Sequence, residues 1–231
     1  MVINKSIPCN KGNYSSSSKR KNKIEFIVVH YTGNVNDKAS SNCKYFQTSG
    51  RNASAHYFVD ETSIYQSVED DYVAWSVGGN KYSNTSTTGG GKFYGICTNN
   101  NSISVEMCNA VTTVPTKTKD NVVWLVAELM KKYNIDIDHV VLHFDVTGKT
   151  CPKCFVDHPE KFKEFKKEVE AKVKGDDYDM ITIKVIINGV EKEVKAINVE
   201  GNNFIKLQDL RDEKIIVGYD TTKKMPTITS K

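Results

Sequence analysis

Apolar positions along this chain change their period several times, and each change marks an expected element. IEFIVVHY, residues 24–31, is a β-branched run with the look of a buried strand. SSSSKRKNK lies just before it and reads as a solvated loop. Residues 37–47 fit a short helix capped by Asn36 or Asp37, with Ala39, Cys43 and Phe46 on one face. AHYFVD (55–60) and SIYQSV (63–68) alternate about Glu61 and Thr62 like a tight hairpin. The Gly, Asn, Ser and Thr of residues 78–101 predict a long loop, of the kind that usually forms a functional rim. SISVEMC (102–108) resumes strand character. Residues 120–133 carry Val122, Leu125, Val126, Leu129, Met130 and Tyr133 at helical spacing. HVVLHFD (139–145) reads as another strand, and a helix with Asp157 as cap, Pro159 in its first turn and Glu160 at N3 runs to about Lys174.

Strands alternating with helices predict an α/β domain with a mixed central sheet flanked by helices over residues 1–174. Residues 175–179 (GDDYD) break the pattern as a linker. Residues 180–231 give a small β-rich domain, with a hairpin signal at Asn188-Gly189. At 231 residues, one or two domains are expected. The net charge of +4 does not point to nucleic acid, although it favours an anionic polymer such as a bacterial wall. No apolar run approaches the roughly 20 residues of a membrane helix, so no membrane insertion is expected. The N-terminus has no apolar h-region, which predicts a protein kept in the cytoplasm until something releases it. Six scattered cysteines predict free, mostly buried thiols, with one or two as metal ligands.

Five histidines stand at 30, 56, 139, 143 and 158. His30 and His143 fall near strand ends, and Cys151 follows in HFDVTGKTCP. Two imidazoles and one thiolate would give zinc a tetrahedral site with one open position. Cys151-Pro-Lys-Cys154 is also a CxxC, which fits half of a structural zinc site or a redox pair. No second CxxC exists to close a four-cysteine site, and a thioredoxin-like motif would sit earlier, in a βαβ unit.

The order VVHYTG, SAHYFVD, AWSVGG, SISVEMCN, HFDVTGKTCP resembles the type 2 N-acetylmuramoyl-L-alanine amidases, which include phage endolysins, bacterial autolysins and the related peptidoglycan-recognition proteins. The resemblance covers about residues 20–170. It implies zinc ligands at His30, His143 and Cys151, a catalytic glutamate at Glu106 and an oxyanion-stabilising lysine at Lys149. Ser76 stands where many members have a histidine lining the cleft, and Ala55 stands where one subgroup has a tyrosine. The second departure is shared with the glutamate-dependent members. His56 is then expected as a structural or cleft-wall residue, and no family role falls on Cys154.

The implied activity is zinc-dependent hydrolysis of the amide between N-acetylmuramic acid and L-alanine in bacterial peptidoglycan, in a phage or prophage endolysin. A host autolysin or germination amidase would share that chemistry. A peptidoglycan-binding protein without catalysis is the rival class. Residues 180–231 resemble the small β-rich stalk domains first noted in copper amine oxidases, and with neither histidine nor cysteine they carry over no copper chemistry. They suggest wall binding, or a homodimer formed through this domain.

Overall fold

The computed structural model describes residues 5–174, 181–187, 189–199, 202–211, 213–222 and 225–230. The chain divides into two compact units, Met1–Lys174 and Gly175–Lys231. In the first, strands β1 (Lys5–Ser6), β2 (Tyr14–Ser15) and β3 (Phe26–Tyr31) lead to helix α1 (Ala39–Phe46). Strands β4 (Tyr57–Val59), β5 (Ile64–Gln66) and β6 (Val73–Ala74) follow, then the single turn α2 (Thr85–Thr88), β7 (Ser102–Met107) and α3 (Thr116–Tyr133). The unit closes with β8 (Val140–Leu142), α4 (His143–Thr147), α5 (Lys153–Val156) and α6 (Pro159–Lys174). Six strands form one mixed sheet in the order β1-β5-β4-β7-β3-β8, while β2 and β6 pair apart from it. This is the mixed α/β architecture that the periodicities predict.

The centre of the sheet is parallel: β3 runs alongside both β7 and β8, and β4 alongside β7. Parallel strands need cover on both faces. In β3, Ile27 and Val29 face the main core, where Leu125, Val126 and Leu129 of α3 and Phe165 and Val169 of α6 pack. Phe26 and Val28 face the other side, against Val77, Cys97, Val141 and Val146. Strand β7 alternates in the same way. Ile103, Val105 and Met107 enter the main core, so Ser102, Ser104 and Glu106 point to the opposite face. His30 shares that face with Phe26 and Val28 by the same parity.

Several local expectations are corrected. Helix α1 has no side-chain cap from Asn36 or Asp37. Asp37 instead accepts from the Asn42 side chain and from the backbone N–H of Asn109. The Ala39 N–H is satisfied from a distance, by the Asp60 carboxylate at 2.9 Å. Helix α3 starts at Thr116, about one turn before the expected start at residue 120, because Pro115 sets the N-cap position and the first turn is polar. The expected strand at 139–145 stops at Leu142, where the Asp145 carboxylate accepts the Leu142 N–H at 2.9 Å and starts α4 at His143. Asp157 does not cap α6. It closes α5 and takes the Lys153 ammonium, while α6 opens at Pro159.

Arg20, in the stretch expected to be solvated, is half-buried. Its guanidinium donates to the carbonyls of Asp70, Asn100, Ser102 and Tyr72, tying the segment before β3 to the loops before β6 and β7.

In the second unit, β9 (Ile181–Ile187), β10 (Val190–Val199) and β11 (Asn202–Ile205) form an antiparallel sheet in the order β11-β10-β9. Strands β12 (Ile215–Asp220) and β13 (Met225–Ser230) form a second antiparallel pair. The β9–β10 turn includes Gly189 at φ +79°, a conformation that favours glycine. Asn188 of the expected hairpin, and the expected linker 175–179, lie outside the described residues. Among the described residues, no helix is long and apolar enough to cross a membrane.

One buried carboxylate ties the hairpin region to α3. Asp70 is only 5% exposed and accepts from Tyr57 at 2.7 Å, Gln66 at 3.1 Å, Lys132 at 2.8 Å and Tyr133 at 2.5 Å. Burial alone would raise its pKa, but the hydrogen bonds from Lys132, Tyr133 and Tyr57 outweigh it and hold the carboxyl below its ordinary 3.8. Asp70→Asn leaves these donors around a neutral amide and should cost about 3 kcal/mol in denaturant unfolding near neutral pH. A depressed folded pKa contributes stability above the unfolded value and loses it as pH falls through the folded value. The gap between wild type and variant should therefore shrink below about pH 4, and a gap unchanged at pH 3 would contradict this account.

Candidate metal centre

The parallel register decides what meets at the carboxyl ends of the strands. His30 of β3 lies directly across from Glu106 of β7, and Val29 from Leu142, the residue before His143. Open α/β sheets place their ligands at this edge. Cys151 comes from the segment after α4, which folds back so that the Phe144 N–H donates to the Cys151 carbonyl at 2.9 Å. The side-chain donor atoms of His30, His143 and Cys151 all lie within 4.8 Å of one another, and all three residues are buried. The His30 and His143 rings are 4.7 Å apart between centroids, and Cys151 Sγ is 3.8 Å from His30 Nδ1. Among the described residues this is the one cluster of three or more His, Cys, Asp or Glu with metal-ligand geometry.

The electrostatics suit a cation. Burial, then the neighbouring His143, Lys149 and His56, hold His30 well below its ordinary 6.5. Burial and Lys149 bring His143 down to about 4. Both rings are therefore neutral at pH 7, the state in which imidazole binds a metal. Burial pushes the Cys151 thiol up to about 12, with Glu106 adding to the rise. A thiolate here needs a cation beside it. His143 Nδ1, His30 Nε2 and Glu106 Oε2 are buried with no hydrogen-bond partner among the described residues. Such orphaned atoms normally have an explanation, an ion among them. The residues present fit a metal ion.

Glu106 and Lys149 border this cluster. Glu106 Oε1 is 4.0 Å from His30 Nδ1 with its side chain 18% exposed, and burial raises its pKa to about 7 despite Lys149. Lys149 is exposed and lines two clefts that share it. One of about 660 Å³ runs past His143 and Trp75, and another of about 470 Å³ runs past Glu106 and Tyr31. His56 is apart from these clefts. It is 1% exposed, its Nδ1 accepts from the Ser104 N–H, and its Nε2 faces the Tyr72 carbonyl and Arg20. Cys154 packs into the main core beside Phe155 and is not one of the clustered donors. All six cysteines are free and buried.

The N-acetylmuramoyl-L-alanine amidase family model matches residues 20–154, more than half of the chain. The chain belongs to this family. Among similar proteins, the N-acetylmuramoyl-L-alanine amidase BlyA of Bacillus subtilis is 30% identical over 76% of this amidase-family chain and 48% of its own length. CwlH of the same species, also named an N-acetylmuramoyl-L-alanine amidase, is 32% identical over 59% of this chain and 50% of its own. This chain thus spans about half the length of the curated relatives it matches. A mutant endolysin from Bacillus subtilis superposes with a TM-score of 0.57 at 26% identity, covering 73% of this chain and 99% of its own. The catalytic domain of XlyA superposes at 0.56 and 26%, covering 72% and 99%.

The long loop after Trp75 is held to the amidase fold mainly by its backbone. Tyr82 N–H donates to Thr147 O at 2.8 Å, Gly91 N–H to Phe144 O at 2.9 Å and Phe93 N–H to Asp145 O at 2.9 Å. Close approach needs glycine on both sides: a Cβ on Gly90 would lie 2.8 Å from Gly148 Cα, and one on Gly148 would collide with Cγ2 of Thr85. Gly148 also holds φ +88°. Gly148→Ala should lower stability by about 2 kcal/mol, through overlap and a strained φ. Thermal unfolding checks this, and adding Thr85→Ser, which deletes the clashing methyl, should recover part of the loss.

Proposed function

We propose that this protein is a zinc-dependent N-acetylmuramoyl-L-alanine amidase, a phage or prophage endolysin acting on bacterial peptidoglycan. The observation that carries the reading is the buried His30–His143–Cys151 cluster, beside Glu106, in a chain of this family. Endolysin structures among its relatives support the biological setting. Two neutral nitrogens and one sulfur, with no fourth donor in the cluster among the described residues, favour zinc and leave a position open.

Zinc held by these three residues would supply Lewis acidity at the scissile carbonyl and lower the pKa of water toward about 7. The amide lies along the junction of the two clefts, within reach of Glu106 and Lys149. Glu106 accepts the proton of the attacking water at its carboxylate and passes it to the leaving alanine nitrogen, without which the amine is a poor leaving group. The Lys149 ammonium faces the oxygen on which negative charge develops and offsets that charge. Burial of His30, His143 and Cys151 fixes their rings and sulfur, so little reorganisation is needed as charge moves. Residues 180–231, beyond the linker 175–179, act as a separate module for wall attachment or for pairing two copies, and take no part in the chemistry.

Three measurements test these assignments. Metal analysis should find about one zinc per chain, lost in Cys151→Ser; undiminished zinc in that variant would remove Cys151 from the ligand set. Glu106→Gln should keep its zinc while turnover of a soluble muropeptide falls by about 10² to 10⁴-fold, and near-normal turnover would hand the proton to another group. A protein ending at Lys174 should fold and keep turnover of the small substrate, while its retention on intact walls or its oligomeric state changes. Loss of small-substrate turnover in a folded truncation would make the tail part of the site.

A further inference from the structure

Cys154 stands three residues after the metal-cluster thiol Cys151, yet it has no part in the chemistry of the site. It is the second residue of α5 and packs with Phe155 in the main core. Both thiols are free and buried, Cys151 at 3% exposure and Cys154 at 2%. Tyr31 adjoins both. Its backbone N–H supports the Cys151 sulfur, and its side chain packs on the cluster that contains Cys154. Burial raises the Tyr31 phenol first, and Cys151 and Cys154 then add to the rise, so one oxygen is within electrostatic reach of both sulfurs.

The chain between the two thiols is curved and lightly held. Three extended steps would span about 10 Å, but a turn at Cys151 and Pro152 leads straight into α5. That helix is a single turn. Phe155 and Val156 donate to the Pro152 carbonyl at 3.1 and 3.0 Å, and Asp157 to the Lys153 carbonyl at 2.9 Å. Bringing the sulfurs together therefore asks for side-chain rotation and the loosening of one short turn, with the sheet left in place. Burial raises Cys154 only to about 11, because its own N–H, that of Phe155 and the nearby Lys161 all favour its thiolate. It also lines a groove of about 320 Å³ together with Lys161 and Glu164. Cys43 and Cys108 offer a comparison. They share another buried cluster at 0% exposure, and burial pushes Cys43 up to about 12 and Cys108 higher still.

We propose that Cys151 and Cys154 form an oxidation site, in which hydrogen peroxide joins the pair as a disulfide, strips the metal from the cluster, and leaves the damage reversible because Cys154 resolves it. The Cys151 sulfur attacks the peroxide O–O bond and becomes a sulfenic acid, releasing one water. The Cys154 sulfur then forms the S–S bond, and the displaced hydroxyl leaves with the thiol proton as a second water. Two electrons pass from the sulfur pair to the peroxide. His30 and His143 alone are then left, too few to hold zinc in a site of this kind. A dithiol reverses the disulfide, whereas a sulfenic acid with no resolving thiol is open to further oxidation to the sulfinic acid, which a dithiol does not reverse. The release of metal rests on reading Cys151 as a zinc ligand. The disulfide can be measured without that reading.

The test adds hydrogen peroxide to the zinc-loaded full chain and follows thiols by titration and free zinc by a coloured chelator. Loss of about two thiols and about one zinc per chain is expected, in parallel. Trypsin then assigns the bond. Lys153 lies between the two cysteines, so cleavage leaves TCPK and CFVDHPEK joined only by the disulfide. This linked pair is sought in the unaltered protein, where no folding defect of a variant can hide it. Dithiothreitol and fresh zinc should restore both thiols and metal. In Cys154→Ala zinc should still be lost, but recovery after dithiothreitol should fall about tenfold, with a sulfinic acid on Cys151. Thiols that survive peroxide, zinc loss without the linked fragments, linkage of Cys43 to Cys108 instead, or full recovery of Cys154→Ala would overturn the proposal. Linked fragments with zinc retained would overturn the release step and take Cys151 out of the ligand set, a failure of the zinc reading that leaves the disulfide standing.

Discussion

Everything in the first unit depends on the parallel register of β3 against β7 and β8. Because His30 pairs with Glu106 and Val29 with Leu142, three strands end level with one another and deliver their polar residues to one spot. A slip of one residue in β3 would turn His30 into the hydrophobic core and Val29 toward the cleft. The register is itself held by burial on both faces, by the main core with α3 and α6 and by the smaller cluster around Val77 and Val146. Geometry at the site is thus a consequence of packing several residues away from it.

The same burial creates an electrostatic imbalance that suits a cation. Two imidazoles held neutral, a thiol held protonated and a carboxyl with a raised pKa share one small volume. Each shift is driven first by desolvation. A metal ion reverses that situation, because its charge favours the thiolate and satisfies the orphaned ring nitrogen of His143. Exposed Lys149, at the junction of the two clefts, is the complementary element. It brings positive charge to the rim, where water screens it, rather than to the buried floor.

Much of this was readable from the chain. SISVEM alternates so cleanly that the Ile103, Val105, Met107 face and the Ser102, Ser104, Glu106 face follow from the pleat alone. His30 stood out as an imidazole ending an apolar run. Other features depend on contacts distant in sequence, which no local window contains. Arg20 looked like one more charge in a polar stretch, yet carbonyls from Asp70 to Ser102 converge on it. The cap of α1 comes from Asp60, just past β4 and 21 residues further along the chain. His143 was read as strand because Val140 to Leu142 set the period, and the short-range signal against it was the Asp145 carboxylate reaching back.

The way the long loop is fastened has an evolutionary corollary. Its bonds to Phe144, Asp145 and Thr147 run from main chain to main chain, and a peptide group is the same whatever side chain it bears. Apart from the glycines that allow close approach, the loop can exchange its side chains, or lengthen between Tyr82 and Gly91, without loosening the helix that begins with His143. The buried floor and the exposed wall of the cleft are therefore separately heritable, and a lineage can rewrite one while the other stays fixed.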